Sequence, residues 1–323
     1  MDRAYLGKHQ LAKAVPRGGV AEKCPVAHIV GFVVPNCSSS SCGAPAPADA
    51  ASPHLGHTPD SLFGIRRDVG REARLTAEVG RPWFDSAERF RHGALAVPLD
   101  VNLGLEVARG EGLSKSSLTT SELSIDFTGL GPRAGDRISV EGGVLSAAAD
   151  GALSSSRAYG ADGRLLAMAT AWIRYVPSSP EHGASTARDP DALPAPQRAF
   201  DDLFRGCITR TDSEVRLAVE LPSFVGNARR SLQGGVCAAL GEWLGAELIG
   251  RPWRVRSLRA QFLRPTPIEA AVTVSVSVLR RGRTYALVDA VVGTEAARCC
   301  LLRLSYTPSE RGGEVLDLST RGY

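Results

Sequence analysis

One acidic residue lies inside an apolar run in the second half of the chain. Glu242 is preceded by Val236–Gly241 and followed by Trp243, and this composition predicts a buried helix. The run opens on Gly234 and Gly235, whose backbone N–H groups would have no partner at a helix start. Such donors stabilise a carbonyl oxygen that gains negative charge, and a nearby carboxylate activates water or attacks the carbonyl carbon. The residues therefore indicate acyl-transfer chemistry, with a salt bridge at the helix edge as the alternative role for Glu242.

The same pattern occurs once before in the chain. His92–Ala94 stands 141 residues before Gln233–Gly235, and each triplet opens an apolar segment that contains a carboxylate, Asp100 in the earlier case. Alternating segments precede both triplets, Arg74–Val79 in one case and Arg216–Leu221 in the other. Each block closes on a strand that ends in Tyr-x-Pro. A repeat of this length predicts two units of the same fold.

Composition divides the chain around these two blocks. Residues 1–58 are rich in Ala, Ser, Pro and Gly and lack periodicity, which predicts a disordered tail. The proline-rich stretch 178–199 predicts a linker between domains at 59–177 and 200–310, with a short tail at 311–323.

Each block reads as a strand, one long helix and then four strands. Short turns such as Gly160–Gly163, with no helices between the strands, predict an antiparallel sheet. The predicted class is therefore α+β, with one apolar helix wrapped by one curved sheet in each half.

The motif in the second block resembles that of a known family. Asn227, Gln233-Gly234-Gly235-Val236 and Glu242 resemble the phenylacetate-type (PaaI-like) acyl-CoA thioesterases of the hotdog superfamily. The segment Gln261–Pro267 is similar to a strand and turn of double-hotdog thioesterases of the TesB type. The resemblance implies a tandem hotdog fold and hydrolysis of an acyl-CoA thioester, with the carboxylate of one half acting on a substrate held by the other.

By this resemblance, one site would place Glu242 opposite the start of the first helix. Its donors would be the amides of Gly93 and Ala94, with His92 beside the substrate. Ala94 replaces the second glycine of the motif. This site keeps the better carboxylate and the histidine, and Glu242 is therefore predicted to be the principal catalytic residue.

The second implied site would place Asp100 opposite the start of the second helix. Its donors would be the amides of Gly234 and Gly235, with Asn227 and Gln233 as further substrate-binding residues. Gln233 replaces a histidine and cannot take up a proton. Asp100 lies one residue short of the spacing in the motif, and one residue rotates a helical side chain by about 100°. This predicts a weaker site unless the local turn corrects the register.

The remaining composition excludes several other functions. The net charge of +4 is spread over 323 residues in both signs, which gives no reason to expect nucleic acid or membrane binding. The seven cysteines and six histidines show no metal-ligand spacing, so neither a metal nor another cofactor is expected. We expect a cytoplasmic protein that acts as a monomer with pseudo-dimeric halves or as a homo-oligomer of such units. The alternative function is a non-catalytic protein that binds acyl-CoA or acyl-ACP.

Overall fold

The helices and strands of the two halves follow the same order. The computed structural model describes residues 58–67, 74–113, 118–177, 198–227 and 229–309. The first half contains α1 (Pro59–Leu62), β1 (Ile65–Arg67), β2 (Leu75–Glu78), α2 (Ala96–Gly110), β3 (Leu118–Phe127), β4 (Arg137–Ala148), β5 (Gly151–Tyr159) and β6 (Leu165–Tyr175). The second contains α3 (Phe200–Leu203), β7 (Gly206–Arg210), β8 (Glu214–Glu220), α4 (Gly234–Ile249), β9 (Trp253–Phe262), β10 (Ala271–Arg281), β11 (Ala286–Gly293) and β12 (Arg298–Pro308). Short 3₁₀ turns occur at Arg81–Trp83, His92–Leu95 and Ser223–Val225.

Several predicted segments fall outside these ranges. They are residues 1–57 of the predicted tail, residues 178–197 of the predicted linker and the predicted tail at 311–323. The domain boundaries stay predictions. Of the helices in the described ranges, none combines the length and the apolar character that crossing a bilayer requires.

All twelve strands form one continuous antiparallel sheet. Their order is β1-β2-β4-β5-β6-β3-β9-β12-β11-β10-β8-β7. The halves meet where β3 pairs with β9, with Ser124 opposite Arg259 at the middle of the pairing. Because each half repeats the other's strand order outward from this junction, the predicted tandem hotdog fold is confirmed.

The alternation of side chains explains the burial in each half. Along β8 every second residue is buried, and these residues face α4, whereas the intervening charged residues are exposed. The predicted turn at Gly160–Gly163 joins β5 to β6, and Gly163 has a φ of +78°, which favours glycine.

Two edge strands were not predicted from the sequence. β1 has only three residues, and all five residues of β7 are exposed. A strand without a buried face has no alternation of apolar and polar residues, so it leaves no periodic signal in the sequence.

The two central helices contact each other at their first turns. A Cβ on Gly235 would lie 2.4 Å from the carbonyl oxygen of Ala96 and 2.6 Å from the Cα of Val97. Only glycine allows the backbones of α2 and α4 to approach this closely. The contact brings each carboxylate near the first turn of the other helix.

Candidate active site

Asp100 reaches across from the first half to the start of α4. Its Oδ2 atom accepts hydrogen bonds from Gln233 Nε2 at 2.6 Å and from the Gly235 N–H at 3.0 Å. The residue is 8% exposed, and a carboxylate with so little water needs such donors. Gly234 allows the approach, because a Cβ there would lie 2.9 Å from Asp100 Oδ2.

Gln233 is oriented by the helix that it precedes. Its Oε1 atom accepts a hydrogen bond from the Val236 N–H at 2.8 Å, so the residue is the N-cap of α4. With the amide oxygen bound there, the amide nitrogen faces Asp100. The glutamine therefore supplies a neutral donor in a fixed direction, in place of the histidine of the family motif.

Thr120 completes this half-site and was missed in the sequence. Its Oγ1 atom donates to Asp100 Oδ1 at 2.9 Å. The β3–β6 pairing shifts register between Thr120 and Glu122, so Thr120 and Leu123 both face inward although they are three residues apart. Regular alternation back from Leu123 would have placed Ser121 inside instead, so the sequence pattern gave no signal for Thr120.

The short spacing before Asp100 does not keep it from α4. The preceding residues His92–Leu95 form a 3₁₀ turn, whereas Gly234–Val236, the equivalents of Gly93–Leu95, are α-helical. A 3₁₀ turn rotates about 120° per residue and an α-helix about 100°, so these three residues recover about 60° of the missing 100°. Pro98 lies in the first turn of α2, where proline is tolerated.

Glu242 lies opposite the start of α2 in the other half-site. The Gly93 N–H donates to Glu242 Oε2 at 3.3 Å. Only 3% of the residue is exposed, and burial raises the pKa of its carboxyl, although Arg91 and the Gly93 N–H act in the opposite direction. Glu242 therefore holds its proton to a higher pH than an exposed glutamate.

Arg91, another residue missed in the sequence, links the two halves at this place. Its Nε atom lies 3.8 Å from Glu242 Oε2 and its Nη1 atom 3.4 Å from Asp85 Oδ2. Its Nη2 atom donates to the Trp243 carbonyl at 2.9 Å. The guanidinium therefore occupies a buried network beside Glu242. An arginine before the histidine carries no distinctive signal in an arginine-rich chain.

His92 is enclosed by aromatic rings and cations. Its ring lies 5.1 Å from that of Phe90 and 6.3 Å from that of Phe127, between ring centroids. Its Nε2 atom is buried without a hydrogen-bond partner among the described residues. Burial lowers the pKa of His92 to about 4, with Arg254 adding to the effect, so the imidazole is neutral at pH 7.

This environment predicts a pH dependence of stability. The unfolded chain binds a proton at His92 as the pH falls through about 6.5, whereas the folded chain resists protonation down to about 4. The free energy of unfolding should therefore decrease as the pH falls through that window, and the decrease should be smaller in His92→Gln. Urea unfolding at about pH 7 and about pH 4.5 measures the decrease in each protein, and an equal decrease in both would exclude the effect.

Two of the predicted binding residues take other partners. The Ala94 N–H donates to the Arg91 carbonyl at 3.0 Å within the 3₁₀ turn. Asn227 Oδ1 accepts from the Arg229 N–H and from Ser231, and so holds its own loop. The structure brings Asp100 together with Gln233, Gly234 and Gly235, and it brings Glu242 together with Gly93. The observed hydrogen bonds of Asn227 are with its own loop and not with either carboxylate.

The two half-sites differ in their chemistry. Asp100 accepts hydrogen bonds from three neutral donors, and two residues beside it, Thr120 and Gly234, are partly exposed. Glu242 is paired with a buried cation and lies deeper. Among the described residues, no cluster of three or more potential ligands could hold a metal ion. The arrangement around Asp100 is therefore a buried carboxylate with hydrogen-bond donors, next to partly exposed residues.

Comparisons with known proteins agree with this fold. Residues 226–307 match a family model described as the acyl-CoA thioesterase N-terminal domain. No curated protein sequence matches the chain.

Solved structures of low sequence identity share the architecture. A putative thioesterase II from Thermobifida fusca YX is 14% identical, covers 78% of this chain and 98% of its own, and has a TM-score of 0.58. An acyl-CoA thioesterase II, TesB2, from Mycobacterium marinum is 11% identical, with coverages of 79% and 98% and a TM-score of 0.55. A hot dog fold protein of unknown function from Alicyclobacillus acidocaldarius is 13% identical, with coverages of 80% and 100% and a TM-score of 0.54.

Proposed function

We propose that this chain is an acyl-CoA thioesterase that converts a thioester and water into a free acid and CoA. The observation that carries the proposal is the Asp100 carboxylate of one half, held opposite the Gly235 N–H and the Gln233 amide of the other. The match over residues 226–307 supports the same substrate class.

In the proposed reaction, the thioester carbonyl oxygen binds at the first turn of α4. The Gly235 N–H and the second N–H of Gln233 Nε2 donate to it, helped by the dipole of the helix. Asp100 accepts a proton from water, and the resulting hydroxyl attacks the carbonyl carbon. The C–S bond then breaks, and the CoA sulfur takes the proton from Asp100 as it leaves.

Of the two carboxylates, the geometry favours Asp100. Arg91 pairs with Glu242 and fills the space beside it, and Glu242 is the more deeply buried. Asp100 accepts hydrogen bonds from the uncharged groups of Thr120, Gln233 and Gly235, and one of these donors can turn to the substrate. Glu242 as the principal residue, predicted from the sequence motif, remains the competing assignment.

The function is tested by release of free thiol from a panel of acyl-CoA thioesters. The panel includes short, long and aromatic acyl groups, and thiol release above the uncatalysed rate is the expected result. A phenylacetyl-CoA arm separates the phenylacetate-type assignment, which the motif from Asn227 to Glu242 supports, from a thioesterase II type. Tight binding without thiol release from any CoA or ACP thioester would instead favour the non-catalytic alternative.

Thr120 is expected to position Asp100 during the reaction. Thr120→Val keeps the shape of the side chain but removes its hydrogen bond to the carboxylate, and a bond to a charged group is worth about 1.5–3 kcal/mol. We expect kcat to fall about tenfold or more with little change in KM. Thr120→Ser, which keeps the hydroxyl, should recover most of the rate, and a Thr120→Val enzyme with unchanged kcat would contradict the role.

A further inference from the structure

Phe262 forms an apolar surface next to the Asp100 carboxylate. The ring projects from the last residue of β9, whose Cα pairs with that of Cys300 on β12. A Cβ placed on Gly234 would have Phe262 Cζ at 3.3 Å and Asp100 Oδ2 at 2.9 Å. Ring and carboxylate therefore both lie close against the Gly234 backbone, and this approach requires that residue 234 has no side chain.

The residues at this place are partly exposed. Phe262 and Gly234 are both partly exposed, and Leu263, which follows the ring, is 53% exposed. The ring is therefore partly accessible beside the Asp100 carboxylate.

The equivalent ring in the first half has a different environment. Phe127 is the last residue of β3, as Phe262 is of β9, but it is buried and packs against His92. The carbonyls of the next two residues, Thr128 and Gly129, accept hydrogen bonds from Arg256 and Arg254. The Leu263 N–H after Phe262 donates to the Cys299 carbonyl at 2.8 Å, so both loops are held. The two rings differ in exposure, because Phe127 is buried and Phe262 is partly exposed.

We propose that Phe262 determines which acyl groups the enzyme accepts. The inference rests on the proposed function, because it places the thioester carbonyl at the start of α4. With the carbonyl oxygen on the Gly235 N–H, the carbons next to the carbonyl pack against the Phe262 ring. A flat ring at this distance admits an unbranched carbon and excludes a branched or bulky one.

The test measures binding, so that it does not depend on turnover. The probes are CoA thioethers that carry a ketone in place of the thioester, with either a straight-chain or an α-branched acyl group. Phe262→Leu removes the flat ring, and we expect the branched-to-straight affinity ratio to rise about tenfold, the usual effect of a small change in pocket size. Isothermal titration calorimetry on the full chain gives both affinities.

Phe127→Leu is the matched control, because it makes the same change at the equivalent position of the other half. Its affinity ratio should equal that of the unmodified chain. An unchanged ratio in Phe262→Leu, or an equal change in both variants, would overturn the inference while leaving the proposed function intact. If the unmodified chain binds none of the probes, the proposed function and the inference both fail.

Discussion

Asp100→Asn should lower kcat for acyl-CoA hydrolysis by about 10²–10⁴, the usual contribution of a general base. The variant can keep the present packing, because the amide oxygen can face the Gln233 and Gly235 donors while the amide nitrogen faces Thr120 Oγ1. What it loses is the ability to take a proton from water. Steady-state kinetics on the best substrate of the thiol-release panel measures the effect, with KM expected to change little.

Glu242→Gln is the matched control for this prediction. It makes the same change, carboxylate to amide, in the half-site where Arg91 lies beside the carboxylate. We expect its kcat to stay within about threefold of the unmodified enzyme, since it removes no group from the reacting site. The reverse result, with Glu242→Gln inactive and Asp100→Asn active, would assign catalysis to Glu242 as the sequence motif predicts.

Arg91→Met should lower the free energy of unfolding by about 3–5 kcal/mol, because it leaves the buried Glu242 carboxylate without its cation and Asp85 with Arg89 alone. Arg91, Asp85 and Glu242 all have side chains less than 8% exposed. Methionine fills much of the same volume, so the loss reports on charge rather than on a cavity. Urea unfolding at about pH 7 measures the change.

Arg89→Met is the comparison for this network. Arg89 shares Asp85 with Arg91, at 2.6 Å, and both arginines lie near Glu247, Arg89 at 3.5 Å and Arg91 at 3.6 Å, but the Arg89 side chain is 38% exposed. Its loss should cost at most about 1 kcal/mol, as expected of an exposed ion pair. A second variant, Arg91→Met with Glu242→Gln, should recover part of the stability. Equal losses for Arg89→Met and Arg91→Met would show that burial of the network does not matter.

The sequence predicted those features that repeat or alternate along the chain. The duplicated triplets at His92 and Gln233 predicted the two central helices, and the resemblance to the thioesterase motif implied that the carboxylate of each half would lie opposite the helix start of the other. Contacts that depend on a local irregularity were missed. Thr120 faces Asp100 only because β3 has a bulge. Asp100 reaches α4 after a 3₁₀ turn at His92–Leu95, and the sequence of that turn does not predict its conformation.

Arg91 was missed for a different reason. Its partners lie on both halves of the molecule, and the role of an arginine is decided by what surrounds it after folding. Its place before the motif histidine gave no hint that it would pair with the carboxylate from the other half. The sequence therefore indicated both half-sites and ranked Glu242 first, but it did not show the buried arginine beside that carboxylate.

The pairing of β3 with β9 does not depend on which half comes first along the polypeptide. Ser124 and Arg259 occupy equivalent places in the repeat and pair with each other, so a pseudo-twofold axis passes between them. Exchanging the two halves along the chain would therefore keep the register of the β3–β9 pairing. The family model described as an N-terminal domain matches the second half of this chain, at residues 226–307.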